Sequence, residues 1–598
     1  APFTDKPDED IQLFDIGTIN QYGVIDQKRY LDNQIHLGNL NALVPLKKDL
    51  QLRTIVYFVD DIRNNELALK QLYLLPNDTL SVYEAYNRVH TSRYWKGSFE
   101  LTRNTKRNYL NNKTQFAFNQ NTYQDVIFNS ADSTLYNQHF NTPFNLFSNT
   151  FNTIFRAGKT LIEFQSLVQY ENGPQTLSVS PGCFEGVLNN NQEYEESFQD
   201  VTIERVYIDN YAGTNIRRNK WVFSIRAGFA IRQQQLNTQI QTNQSDSISN
   251  LGELYQNHLK SGQYQFYLIP STEYKNRGLR FSFGWPLNLQ QLNFQEVQAN
   301  RLQSETKLLQ APKFSMQYTF KGFWELHTSW NYSQRLSDPD DFYYTYMLKN
   351  YQVLIKRDAL IQQTNQNIVG LTLSYRNSIT AFFNTFSYYF VQRQMNLLYS
   401  NLLQEDGSFI MTAREIPNTS FSHNIKLRSS KFISALKSSI SLDFFFMTYI
   451  GNTLVNDELF DSRASQYTIS PEVYYQTNFW MNFSYKLQYE VMNSSVNAEL
   501  RNQIKMIRNY FSFNLFPAEN QMFNLNFEYY MYNQIRYNFV DLMYRYSITK
   551  TKFEIELHWN NIFNSSIYID QQISQFMVSE YAQKLRPSQI LVGLRFSF

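Results

Sequence analysis

The sequence predicts an all-β fold, a large antiparallel transmembrane β-barrel of about 22 strands (22–24) with short periplasmic turns and long extracellular loops. Three observations predict it. The stretch from Ser588 to the end puts Ile590, Val592, Leu594, Phe596 and Phe598 on alternate positions, against Gln589, Leu591, Gly593, Arg595 and Ser597. The same period of two recurs along the chain, with an apolar set rich in rings: 49 Phe and 43 Tyr. Short and long polar connections alternate between these segments. A barrel in lipid must pair every backbone group inside a closed sheet, so its last strand closes against its first and can be apolar to its final residue.

Composition narrows the class. No stretch reaches the ~18 consecutive apolar residues of a transmembrane helix, so strands are the only way this chain crosses a bilayer. Glycine is scarce, 19 of 598 residues, which counts against a β-propeller or β-helix with its periodic Gly. The one cysteine, Cys183, excludes a disulfide scaffold and a Cys-based zinc site and reads as an idle loop thiol. A net charge of +2 gives no electrostatic case for a nucleic-acid partner. The opening APFTDKPDED lacks the basic and apolar regions of a signal peptide. A leader already removed, or a longer parent chain, is therefore expected.

In order, residues 1–33 are a polar lead-in, read as the end of a plug or an opening strand, and 34–598 are read as the barrel. After the run that ends at Leu46, Lys47, Lys48 and Asp49 make a tight connection. Leu50, Leu52, Thr54, Val56 and Phe58 then alternate with Gln51 and Arg53. Further short turns are expected at Lys106–Arg107, Gly158–Lys159, Arg217–Arg218, Arg277–Gly278, Lys321–Gly322, Arg376–Asn377, Ser430–Lys431, Thr477–Asn478, Ala518–Asn520 and Lys550–Thr551. Longer loops are expected over 62–90, 121–141, 172–199, 233–262, 293–311, 334–365, 393–417 and 451–466.

Between them the strands show one apolar face. Trp221, Phe223, Ile225, Ala227 and Phe229 oppose Ser224 and Arg226; Phe314, Met316, Tyr318 and Phe320 oppose Lys313, Ser315 and Gln317. Phe483, Tyr485 and Leu487 oppose Ser484, Lys486 and Gln488; Phe523, Leu525 and Phe527 oppose Asn524 and Asn526. Phe553, Ile555, Leu557 and Trp559 oppose Glu554, Glu556 and His558. The apolar face suits lipid, with Tyr and Trp near strand ends at the water boundary, and the other suits a wet lumen. At 598 residues, 22 strands allow about 27 residues per strand and connection, so the lumen is too wide for wall side chains alone to fill.

The closing region carries a resemblance. Phe553–Asn564 ends in Asn561, Ile562 and Phe563, followed by Arg586 and the aromatic-terminated last strand. This resembles the end of TonB-dependent outer-membrane receptors, with the Asn, Tyr, Phe and Gln richness of Bacteroidota members. Ile562 stands where Leu is commoner, and Arg586-Pro587-Ser588 where Gly-Arg-Thr is commoner. The resemblance implies residence in the bacterial outer membrane, in contact with its lipid and lipopolysaccharide and inserted by the barrel-assembly machinery. It implies ligand import through a plug and a TonB-contacting segment. Residues 1–33 are too short for a plug, so the plug is expected to lie upstream, to be a separate protein, or to be absent. A surface lipoprotein on the long loops is a further implied partner. A structural or assembly subunit that has lost transport, and a passive pore, stay open beside the importer.

Candidates for chemistry are few, and the chain reads as a non-enzyme without a cofactor. Asp338, Asp340 and Asp341 offer hard oxygens for Ca²⁺ but lack EF-hand spacing, and a solvated acidic loop is the plainer reading. Glu554, Glu556 and His558, like Glu325 and His327, share a face at period two and read as polar wall. No Ser/His/Asp set, H-E-x-x-H or phosphate-binding Gly loop occurs. With the terminal strand as insertion signal, Phe598→Asp is predicted to abolish the heat-modifiable form in outer-membrane fractions, read by gel shift with and without boiling.

Overall fold

The computed structural model describes residues 14, 25, 27–47, 49–74, 79–105, 108–158, 160–245, 247–297, 301–358, 360–476, 480–533, 535–548, 553–574 and 577–596. Among the described residues the chain forms one sheet of 32 strand segments, four 3-10 turns and one short helix, Glu185–Leu188. Successive strands pair antiparallel: Leu50–Leu74 with Thr79–Asn104, then Asn108–Asn129, Thr134–Ala157, Thr160–Ser180, Glu196–Arg218 and Trp221–Gln244. The two-residue connection into Trp221 has Asn219 at φ 55, a left-handed conformation that tight hairpins need and Asn tolerates.

The period of two sets the faces. Phe116, Phe147, Trp221, Phe223, Phe383 and Trp559 are exposed on the outside, as are Ile590, Val592, Leu594 and Phe596. These side chains do not pack into a core; they stand exposed on the outer face of the sheet.

The strands run further than expected. Those from Leu50 to Gln244 are 21 to 26 residues long, about twice the ~10 a membrane strand needs. The segments 62–90, 121–141, 233–262, 293–311 and 451–466 are mostly strand, not loop, whereas 172–199 leaves the ladder between Ser180 and Glu196. Their polarity does not mark the end of the ladder. Two turns shift: the chain reverses after Asn377 rather than at Arg376–Asn377, and at Ser434–Leu436 rather than at Ser430–Lys431. The turns at Lys106–Arg107, Thr477–Asn478 and Lys550–Thr551, with Lys48 and Lys159, lie outside the described residues, as does Phe598.

The segment count exceeds 22 for identifiable reasons. Leu279–Gly284 and Leu287–Glu296 lie end to end along one partner, Gln256–Asn276, broken at Trp285 and Pro286. Arg301–Gln310 and Lys313–Phe320 are likewise broken at Ala311 and Pro312. Proline has no N–H for the ladder, so each splits one strand into two. The remaining surplus comes partly from the loops. Tyr346–Asn350 hairpins with Val353–Lys356, and Leu398–Leu403 with Phe409–Arg414. The two hairpins join through a parallel pairing of Val353–Lys356 with Phe409–Arg414.

The sheet's ends meet on one strand. Residues 67–73 of Leu50–Leu74 pair with 577–583, joining first and last parts near the long-connection rim. Lower down, the same edge is held by Asp32–Lys47. Gln589–Phe596 pairs with Phe553–Asn560, and among the described residues no pairing joins it to Asp32–Lys47. Because Phe223 faces outward only two residues beyond the start of its strand at the short turn, Phe223→Arg is predicted to destabilise an inserted barrel by no more than about 1 kcal/mol. Urea refolding into phospholipid vesicles measures it.

Candidate functional site

The inward face changes character along each strand. On Trp221–Gln244, Arg226 is open to the lumen, whereas Ala230, Arg232, Gln234, Leu236, Thr238 and Ile240 are buried. What covers them is the segment expected as an external loop over 334–365, which turns inward instead. Phe342, Tyr343, Met347, Leu348 and Leu354 are buried in one cluster with the wall residues Ile127, Phe140, Leu177, Ile203 and Leu236. The Phe342 ring stacks on Phe294 at 3.4 Å between centroids. The lumen is therefore wet at the short-turn end and packed at the long-connection end, where its inward face is partly apolar rather than wholly polar.

A strand-poor segment inside a protein must find partners for its backbone groups. Wall amides supply them. Leu348 N donates to Gln199 Oε1 at 3.0 Å and Tyr351 N to Gln138 Oε1 at 2.8 Å. Tyr344 N and Thr345 N both donate to Asn257 Oδ1, at 3.0 and 3.1 Å. Gln352 Nε2 donates to Glu84 Oε1 at 2.6 Å. The neighbouring hairpin is fitted as closely. Gly407 sits at φ 82, and a Cβ there would meet Val82 Cγ2 at 2.6 Å, so both conformation and space require glycine.

Charge fixes the start of the segment. Arg232 Nη1 lies 2.8 Å from Asp338 Oδ1 and Arg232 Nη2 3.0 Å from Asp340 Oδ2. Arg205 bridges Asp340 and Glu171, the latter at 2.8 Å. Arg357 Nη1 lies 2.6 Å from Asp341 Oδ1. Burial raises the Asp340 carboxyl, but Arg232 and Arg205 outweigh it and hold it below its ordinary value. Burial pushes Asp338 up, beyond what Arg232 recovers. The three aspartates thus pair with arginines, while the Asp338 and Asp341 side chains stay about half exposed (48% and 51%) and Asp340 lies deeper. Among the described residues no group of three or more His, Cys, Asp or Glu is placed to hold a metal.

Cys183 is no surface thiol. It is buried against Ser197 and Tyr194, and burial pushes its thiol up to about 12. Glu556 contacts Arg545 at 2.8 Å and His558 at 3.3 Å, while Glu554 faces Arg595 at 3.5 Å, all on adjoining wall strands. Beside the arginine pairs lies a cavity of 440 Å³ lined by Gln265, Gln290, Gln334, Gln362, Arg335 and Arg393, among others. A second, of 1020 Å³, opens near the rim between Cys183–Val187 and the Gly407 hairpin.

The residues of the closing motif come together with a partner the sequence did not suggest. Asn561, at φ 52, donates from Nδ2 to Ser565 O at 2.9 Å and Arg586 O at 2.8 Å. Its N donates to Asp541 Oδ1 at 2.8 Å. The Asp541 carboxylate also receives Arg29 in bidentate fashion, at 3.2 and 2.8 Å, and Arg29 stacks over Phe539 at 4.6 Å. Arg586 N donates to Arg29 O at 2.7 Å. Ile562 joins only through its backbone, to Val540 O, and Phe563 is exposed.

Arg205→Ala would leave Glu171, itself fully buried, without its cation. A one-sided break of this kind costs about 3–5 kcal/mol. Hydrogen exchange over residues 338–356 is predicted to accelerate sharply in this variant, with strand amides near the short turns unchanged.

No family model matches the chain, and no curated protein matches it by sequence. Solved structures do. The copper transporter OprC shares 8% identity over 93% of this chain and 83% of its own, with a TM-score of 0.50. The ferric citrate transporter FecA shares 8% identity over 94% of this chain and 79% of its own, with a TM-score of 0.49. The siderophore receptor PirA from Acinetobacter baumannii shares 9% over 94% and 81%, with a TM-score of 0.45. At these identities the OprC match speaks for the fold alone. The fold is that of the TonB-dependent outer-membrane receptors, which the closing segment resembles.

Proposed function

We propose that this chain is the barrel of a bacterial outer-membrane importer of the TonB-dependent receptor kind, closed as about 22 strands across the membrane. The carrying observation is the packed outer half of the lumen. A passive pore has no use for a segment tied into its bore by wall amides and buried arginine pairs. In an importer, such a segment takes the place of an open mouth: ligand meets the rim, and passage requires the inward-folded loops, and a plug supplied upstream or by another protein, to move. Energy would enter through a TonB-contacting segment on that plug. The chain needs no catalytic group for this, and we read it as a non-enzyme.

The structural-subunit reading draws on the same packing. The segment 338–356 is held by so many wall contacts that the barrel can act as a rigid scaffold for partners, including a surface lipoprotein on the rim. Planar-bilayer recordings separate pore from the other two. The purified chain is predicted to be silent, and deletion of residues 339–356 to give stable large conductances. A wild-type chain that conducts steadily would overturn the importer reading in favour of the pore. Ligand uptake that collapses with the proton-motive force would then favour importer over scaffold.

A further inference from the structure

The edge of Leu50–Leu74 carries two partners in sequence along its length. Residues 67–73 pair with 577–583, and residues 50–64 pair with Asp32–Lys47. The strand that follows 577–583 in the chain is Gln589–Phe596. It runs in the same direction, past the edge that Asp32–Lys47 holds.

Register shows where it belongs. Leu67 faces Gln583 and Tyr73 faces Met577. Carried on without a bulge, that register sets Val592 opposite Phe58, Leu594 opposite Val56 and Phe596 opposite Thr54. Each of these lies on the outward face, with the exposed Val56, so Val592 and Leu594 meet apolar residues on the lipid side and Phe596 meets Thr54. At present Gly38 faces Phe58 and Leu40 faces Val56. One stretch of edge therefore fits two strands of the same chain.

The resident strand is built as an edge strand. Pro45 lies within Asp32–Lys47 and has no N–H to give a second neighbour. Asp32–Lys47 is exposed on both faces, and so is most of Gln589–Phe596. In lipid, two open edges leave rows of backbone groups unbonded at several kcal/mol each. If Gln589–Phe596 takes the edge, the lipid-facing ladder is complete, and Asp32–Lys47 leaves for water.

We infer that Asp32–Lys47 is a stand-in partner for the edge of Leu50–Leu74, displaced by Gln589–Phe596 when the barrel closes. The short connection at Lys47 lets the stand-in pair at once, whereas the closing strand is the last part of the barrel to be made. Until then the stand-in covers an edge that would otherwise recruit foreign strands. This rests on the reading of the chain as a membrane barrel.

The test is a competition for one thiol. In a Cys183→Ser background, L40C/V56C/L594C gives the residue-56 thiol a choice between the resident and the closing strand. L69C/Y581C, a pair already facing across the outer junction, is the control. Oxidation in outer-membrane fractions, with linked peptides read by mass spectrometry, is expected to give both 40–56 and 56–594 products. Adding L40P to one neighbour is not possible in that variant, so N39P/N41P weakens the resident strand instead. It is expected to shift the product ratio toward 56–594 about tenfold. A control pair that links while 56–594 never forms, with or without the prolines, overturns the inference and leaves the barrel reading standing. A chain that fractionates as a water-soluble protein, with no heat-modifiable form, overturns both.

Discussion

A strand in lipid has no water to bond, so every N–H and C=O must be met by another strand. That single demand explains why one sheet takes up almost the whole chain. It also explains why the two ends of the sheet converge on Leu50–Leu74. The outward residues need only be apolar; they have no partner to fit. The inward residues answer to whatever occupies the bore.

What occupies the bore is the chain itself. Gln138, Gln199 and Asn257 end in amides that accept from the backbone of the inward-folded segment, much as a neighbouring strand would. Arg205 and Arg232 cost solvation on entering the interior, and Glu171, Asp338 and Asp340 offset that cost. Unlike the interchangeable apolar faces, this set of contacts fixes one position for the segment.

The alternation was legible because a period of two is printed residue by residue, from Trp221 through Phe229 and again from Ile590 on. Turn positions were legible where basic and glycine residues cluster, and drifted where a strand runs on, as past Ser430. The packed lumen was not legible. Residues 334–365 and 393–417 have loop composition, and only the run Phe342, Tyr343, Tyr344, Tyr346 inside an acidic stretch hinted at burial. Asp338 and Asp340 gave no local sign of their pairing because their arginines, Arg232 and Arg205, lie more than a hundred residues away. Asn561 and Arg586 were visible as a motif. Arg29, which completes their cluster, was not, since nothing local marks a lone arginine as an anchor.

That anchor joins the extremes of the chain. Arg29 and Asp541 are 512 residues apart in sequence, and Arg29 O accepts from Arg586 N. A contact of such long range carries a heavy loop-closure cost and forms late. Its completion therefore reports that the intervening wall is in place and that the segment carrying Arg29 has docked on it. Few single ion pairs are so well sited to act as a final inspection point in biogenesis.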